Sequence, residues 1–233
     1  MLRTLGGAVG STGIFALALI APAREWRWGQ AWMLVVIFFA IHIAGRARIE
    51  RTRSGLLVER AKLPLQSGQP LADKVLLLLI MATYTCEVVL TGLDRRYWNP
   101  TGTQFGILGL AGLVLFVFGR LLVMRALEIN AFATTVVRHQ IERGHSVVDW
   151  DVYNAVRHPM YSGLVAAMLG MPLWLGSVVG IEAALVPIAL LAVRVVLEER
   201  VLRHALPGYA ICHPYRSPIM TYGYPPGTHA ASI

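Results

Sequence analysis

Glu142–Gly163, ERGHSVVDWDVYNAVRHPMYSG, and a distant counterpart, Arg194–Tyr209, RVVLEERVLRHALPGY, decide how the rest of the chain is read. The first is a polar segment carrying His145, Tyr153 and His158 that enters an apolar stretch through His158-Pro159. A residue before proline is pushed toward extended geometry, and proline suits the first helical turn, so a helix is predicted to begin at about Pro159. The second stretch places Glu198 and Glu199 where the last apolar run gives way to charged residues.

Between them lie two apolar runs, Met160–Leu175 and Ile181–Leu197, joined by the uncharged Gly176–Gly180, GSVVG, which predicts a helical hairpin. Gly163, Ala166, Ala167 and Gly170 give its first helix a small face that its partner helix can approach closely. Upstream runs at Gly6–Ala23, Ala31–Gly45, Ala72–Gly92 and Gly106–Met124 bring the expected spans to six. Ala21-Pro22-Ala23 has the look of a cleavage site, but the first run is read as an uncleaved span. Gly106, Gly109 and Gly112 follow no strand and lie in an apolar run, which makes them helix-packing residues rather than a nucleotide loop.

Composition supports this pattern. The 233 residues are 56% hydrophobic and 15% charged, with a mean hydropathy of +0.58, outside the range of soluble domains. The fold class is therefore all-α, a polytopic membrane protein expected to form a single domain. Residues 1–125 supply four spans, and residues 126–233 supply a catalytic region with the hairpin and a proline-rich tail. The net charge of +8 comes from arginines gathered between the apolar runs, which sets orientation in a membrane and excludes a nucleic-acid face. By the positive-inside rule the loop Arg46–Lys62 and residues 126–159 lie in the cytoplasm, with both termini, and Leu93–Thr103 faces outward. A multi-pass protein of a bacterial-type inner membrane or its equivalent, with its site on the cytoplasmic face, follows. Cys86 and Cys212 are read as free thiols, and His42 as a packed, hydrogen-bonded histidine. His139, His145, His158, His204 and His213 lack the close pairing of a metal site.

A helix starting at Pro159 presents free amide hydrogens and the positive pole of its dipole, and Arg157, His158 and Tyr161 crowd that end, making a nook for an anionic group. Arg194 and Glu198 are four residues apart and share a helix face. An arginine inside an apolar run is costly and so is a functional candidate. The hairpin returns Glu198 to the membrane surface of His158, where one ligand can bridge them. The alternative pairs Arg194 with Glu198, lets Arg157 reach lipid phosphates and leaves Glu199 solvated.

In its carboxy-terminal half the chain resembles the isoprenylcysteine carboxyl methyltransferase family and the related membrane phospholipid methyltransferases. The resemblance is carried by His145-Ser146-Val147-Val148, Tyr153, Arg157-His158-Pro159-Met160-Tyr161-Ser162-Gly163, Arg194, Glu198-Glu199, Leu202 and Pro207-Gly208-Tyr209. It implies S-adenosylmethionine as cofactor, lined by His145, Ser146, Val147, Val148, Tyr153, His158, Pro159, Met160 and Tyr161, with Glu198 taking its ammonium group. It also implies that Arg194, the candidate catalytic residue, meets the carboxylate of a prenylcysteine-like lipophilic substrate drawn from the membrane lipids. A phospholipid amine is the alternative acceptor, for which His145 or Glu199 would take the proton. Asn130 and Phe132 resemble the family's Asn-Phe pair. Asp151 stands where the family commonly has glycine, and Arg138 where it often has a cofactor-binding glutamine. A different class, a sterol-reductase-like membrane reductase using NADPH, would place Arg138 and Arg143 on a 2'-phosphate. A non-catalytic lipid-binding protein is a third.

Overall fold

The computed structural model describes residues 2–52, 71–99, 106–129 and 150–205. The helices are α1 (Leu2–Ala23), α2 (Gly29–Thr52), α3 (Leu71–Tyr97), α4 (Ile107–Ile129), α5 (Val152–Ala155), α6 (Pro159–Leu175) and α7 (Val178–Ala205), and no strand occurs among the described residues. Five of them, α1, α2, α3, α4 and α7, are long and apolar enough to cross a membrane. At 17 residues α6 is the shorter one and reaches about 25 Å at 1.5 Å per residue. Large apolar side chains, among them Ile14, Val36, Leu110, Phe118 and Leu185, point outward from these helices. An exposed apolar surface of this extent belongs in lipid, and the protein is an all-α integral membrane protein.

Several helices run past their predicted ends. α2 continues through Gly45 to Thr52, so Arg46, Arg48 and Arg51 are helical rather than loop residues. Nothing in that stretch breaks a helix, and Arg46 finds room against Gly7 of α1. α3 likewise continues through Gly92 to Tyr97. Gly92 is not a terminator: a Cβ there would run into the Leu19 carbonyl of α1, so the residue serves helix contact. Gly106 lies outside α4, at φ +53, where glycine is the residue of choice. The hairpin connection shrinks from GSVVG to Gly176 and Ser177. Gly176 closes α6 in the left-handed conformation, and the Ser177 hydroxyl accepts from the Gly180 amide at 2.9 Å to cap α7.

The small face of α6 also has a different partner from the one expected. It packs against α4, not against its hairpin partner α7. A Cβ built at Gly163 would come 2.6 Å from the Gly119 carbonyl oxygen, and one at Gly112 would come 2.7 Å from the Trp174 amide nitrogen. Helices in lipid have no hydrophobic drive toward one another and gain instead from such close approach. α7 is held mainly by α3. At one end of that pair the Ser177 hydroxyl donates to the buried Asp94 carboxylate at 2.6 Å, and at the other Arg194 meets Asp73. Leu76 and Ile80 of α3 join Tyr161, Met168, Ala184, Leu191 and Val195 in one core cluster, and Phe15, Phe38 and Phe116 stack in a second beside α1 and α2.

Deeper in the bundle, His42 is packed and bonded as expected. Its Nδ1–H donates to the Phe38 carbonyl at 2.8 Å, which leaves Nε2 to accept from Arg120 at 2.7 Å. The Arg120 guanidinium lies over the Phe38 ring, 4.5 Å from its centroid. Glu87 is wholly buried on α3, and neither of its oxygens has a hydrogen-bond partner among the described residues. Cys86 is a free, exposed thiol, and Cys212 lies outside the described residues.

Because the α4–α6 contact is backbone against backbone, Gly163→Val is expected to lower stability by about 1–3 kcal/mol through overpacking. Gly10→Ala, where a Cβ meets nothing within 4 Å, is expected to be neutral. Thermal unfolding of both variants in the same detergent checks this, and equal midpoints would refute the packing assignment.

Candidate functional site

The charged residues of the two signature stretches meet at one end of the bundle, where α6 begins and α7 nears its end. His158 takes the N-cap position with φ −123 and ψ 64, and Pro159 fills the first helical position, as its sequence predicted. The His158 side chain does not cap this end of α6. The His158 ring turns instead to α7, where Nε2–H donates to Glu199 Oε1 at 3.0 Å. Arg157 donates to the other Glu199 oxygen at 3.3 Å, and all three side chains are less than a tenth exposed. Arg157 is therefore not reaching for lipid phosphates, and Glu199 is not solvated.

Glu198 stands beside this triad. The Tyr161 hydroxyl donates to its Oε2 at 2.7 Å, and His158 Nδ1 lies 4.0 Å from the same oxygen. The His158 and Tyr161 rings stack with centroids 5.6 Å apart. At 24% exposure the Glu198 side chain is more open than Glu199 or Asp73, each at 9%. One turn back on α7, Arg194 reaches across to Asp73 of α3, with Nη2 3.3 Å from Oδ1, and its guanidinium lies 5.9 Å from the Tyr161 ring centroid. A continuous line of polar contacts thus runs from Asp73 through Arg194, Tyr161, Glu198 and His158 to Glu199 and Arg157.

The expected site residues fall into separate groups. His158, Pro159, Met160, Tyr161, Arg194 and Glu198 come together at the corner, with Pro159 fully buried and Met160 packed among three apolar clusters. Tyr153 sits one layer away. Its ring is buried against Ala126 and Ile129 of α4, and its hydroxyl points to the Ala126 carbonyl at 3.5 Å, so it anchors the segment to α4. His145, Ser146, Val147 and Val148 lie outside the described residues, as do Asn130, Phe132, Arg138, His139, Arg143, Pro207, Gly208, Tyr209 and His213; the side chains of Leu202 and His204 are likewise not described. Among the described residues no group of His, Cys, Asp or Glu is placed to hold a metal ion.

Asp151 explains its own departure from the glycine of the resembling family. It has φ 56 and ψ −129, a conformation that favours glycine. The side chain supplies compensation: it accepts from the Val152 amide at 2.8 Å and is paired with Arg125 of α4. Arg125 also bonds Glu128 at 3.0 Å, and Arg48 of α2 lies 3.6 Å from the same carboxylate, so this turn is tied to two helices.

Asp73 was missed by the sequence reading. Its one signal is an acid in the first turn of a long, mostly apolar helix. That signal acquires meaning only once α3 is known to lie beside α7.

This is a helical membrane protein whose carboxy-terminal helices enclose a corner of paired charges. Residues 107–207 match a family model described as phospholipid methyltransferase, a stretch that spans α4 to α7 and leaves out α1, α2 and α3. No curated protein and no solved structure matches the chain.

Asp151→Ala keeps a Cβ at positive φ while losing both side-chain contacts, whereas Asp151→Gly loses the contacts and relaxes the backbone. The glycine variant is expected to be the more stable of the two by about 1 kcal/mol, read from their denaturation midpoints. The hydrogen bond from Arg125 lowers the Asp151 carboxyl below its ordinary range. Its folded-state pKa being depressed, the pair's stabilisation is present at neutral pH and is lost as pH falls through that lowered value. Asp151→Asn is expected to flatten this acid limb, and an acid limb identical to wild type would disprove the pairing.

Proposed function

We propose that the protein transfers a methyl group from S-adenosylmethionine to the head group of a lipophilic substrate in the membrane. One observation carries the reading: Glu198, the most open carboxylate of the corner, stands beside the amino end of α6, which the His158 side chain leaves without a cap, with Tyr161 bonded to it and His158 stacked on Tyr161. The donor set fits the cofactor's chemistry. Glu198 would hold the ammonium group and the amides of the first α6 turn the carboxylate, with Tyr161 fixing Glu198 through its hydroxyl. His145 to Val148, which the resemblance adds to the cofactor site, lie outside the described residues.

When bound, S-adenosylmethionine supplies a methyl group already activated on a sulfonium, so the protein needs no nucleophile of its own. The chain's residues orient the donor, bring the acceptor into line and keep water out. Glu199, fixed between Arg157 and His158, holds the start of α6 against α7 and so sets the distance between Glu198 and the helix amino end.

The amine of a phospholipid head group is the favoured acceptor, because each buried arginine of the corner already faces a carboxylate: Arg157 faces Glu199 and Arg194 faces Asp73. The description of the matching family model, phospholipid methyltransferase, supports a phospholipid as the substrate. An amine must shed a proton; both Glu199 oxygens are engaged by Arg157 and His158, which leaves His145, outside the described residues, as the proposed acceptor. The carboxylate of an isoprenylcysteine-like compound is the second reading, favoured by the place of Arg194 one turn from Glu198. In both readings the corner faces the cytoplasm, because the carboxy ends of α2 and α4, which lead into the arginine-bearing stretches 53–70 and 130–149, lie at the same end of the bundle as the start of α6.

Calorimetry with purified protein is expected to show binding of S-adenosylmethionine and none of NADPH. Glu198→Gln should weaken that binding by about 10- to 100-fold, the worth of a hydrogen bond to a charged group. Normal cofactor affinity in Glu198→Gln would sink the ammonium assignment. Tags at both termini are expected to report the cytoplasmic side, and an outward-facing tag would reverse the orientation.

A further inference from the structure

Asp73 lies on α3, outside the matched residues 107–207, yet it reaches the middle of the site. We infer that Asp73 selects the charge of the methyl acceptor through its hold on Arg194. The inference rests on Arg194 being the acceptor-side residue of the proposed reaction.

An arginine in an apolar setting attracts any carboxylate or phosphate that reaches it. Here the guanidinium has a resident carboxylate 3.3 Å away, and both side chains are less than a tenth exposed, so the attraction is met within the protein. An incoming lone carboxylate must displace Asp73 or share one guanidinium with it, and two carboxylates crowded on one cation repel each other. A head group carrying both an ammonium and a phosphate faces no such conflict: its cation meets Asp73, its anion meets Arg194, and the existing pair presents a dipole of the matching sense.

The position of Asp73 is also well held. Leu76 and Ile80, the next residues on α3 toward the interior, pack with Leu191 and Val195 on either side of Arg194. Arg194 in turn lies over Tyr161, whose hydroxyl bonds Glu198. The acceptor side is thereby set against the cofactor side through a single ring. Asp73 acts both by holding Arg194 and by facing the acceptor's cation, and is a selectivity residue of the acceptor side.

The test measures equilibrium binding of two probes to the full-length protein in detergent, without cofactor: a short-chain phosphatidylethanolamine and a prenylcysteine carboxylate. Wild type is expected to prefer the ethanolamine lipid, and Asp73→Asn to shift the ratio toward the carboxylate by about tenfold or more. Asp73→Glu should keep the wild-type ratio, and S-adenosylmethionine affinity of Asp73→Asn should stay within about twofold of wild type. A merely structural role would weaken both probes and the cofactor together, and that outcome, or an unchanged ratio, overturns the inference. Should Asp73→Asn fail to fold with Arg194 uncompensated, the double variant Asp73→Asn/Arg194→Gln removes both charges. It is expected to bind the two probes without discrimination, and retention of the wild-type preference would overturn the inference as well. A shifted ratio in a protein that methylates neither compound would instead refute the methyltransferase reading and leave the Asp73 assignment standing.

Discussion

Everything at the charged corner depends on how closely α6 can sit on α4. Gly112 and Gly119 on one helix face Gly170 and Gly163 on the other, so carbonyls and amides of the two backbones are in van der Waals reach. In lipid this contact is what association can gain, since an apolar side chain is as well solvated by acyl chains as by a neighbouring helix. Seating α6 this way fixes the height and direction of its amino end. The turn that leads into it is fastened to the same support, through Asp151 on Arg125 and Tyr153 on Ala126.

α7 belongs to a different support. It lies along α3, joined by Asp94 and Ser177 at one end and by Asp73 and Arg194 at the other. The site therefore forms between a helix mounted on α4 and a helix mounted on α3, with the short Gly176-Ser177 connection at the far end. Glu199 closes the gap by bonding Arg157 and His158 across it. Buried ion pairs of this kind are weak sources of stability, because desolvation offsets most of their attraction. Their effect here is to specify one alignment of the two helices, in which Glu198 faces the start of α6.

The same logic accounts for charges that lie in apolar runs. A central arginine costs about 2.5–3.5 kcal/mol to place in a membrane helix, so it persists where the interior gives it partners. Arg120 has the His42 ring nitrogen and the face of Phe38, and Arg194 has Asp73 and the face of Tyr161. Both arginines turn inward to neighbouring helices, which leaves the lipid-facing surface apolar.

The sequence alone was enough for the class of fold, for the start of α6 at Pro159 and for the return of Glu198 to the level of His158. Long apolar runs, a proline after a polar segment and an uncharged connection are local signals with one physical meaning each. Helix ends were less legible: Gly45 and Gly92 look like terminators, yet both are contact residues inside helices, a distinction made by what lies opposite them. Asp151 was visible as a departure, while the positive φ that explains it was not. Only tertiary structure decided that the small face of α6 meets α4, that Glu199 serves Arg157 and His158, and that Asp73 serves Arg194. Those pairings join residues far apart in the chain, and no local periodicity records which helix lies beside which. The order of helices around the bundle is set by the sum of all their contacts, and it is this order that turns a row of separate charges into one site.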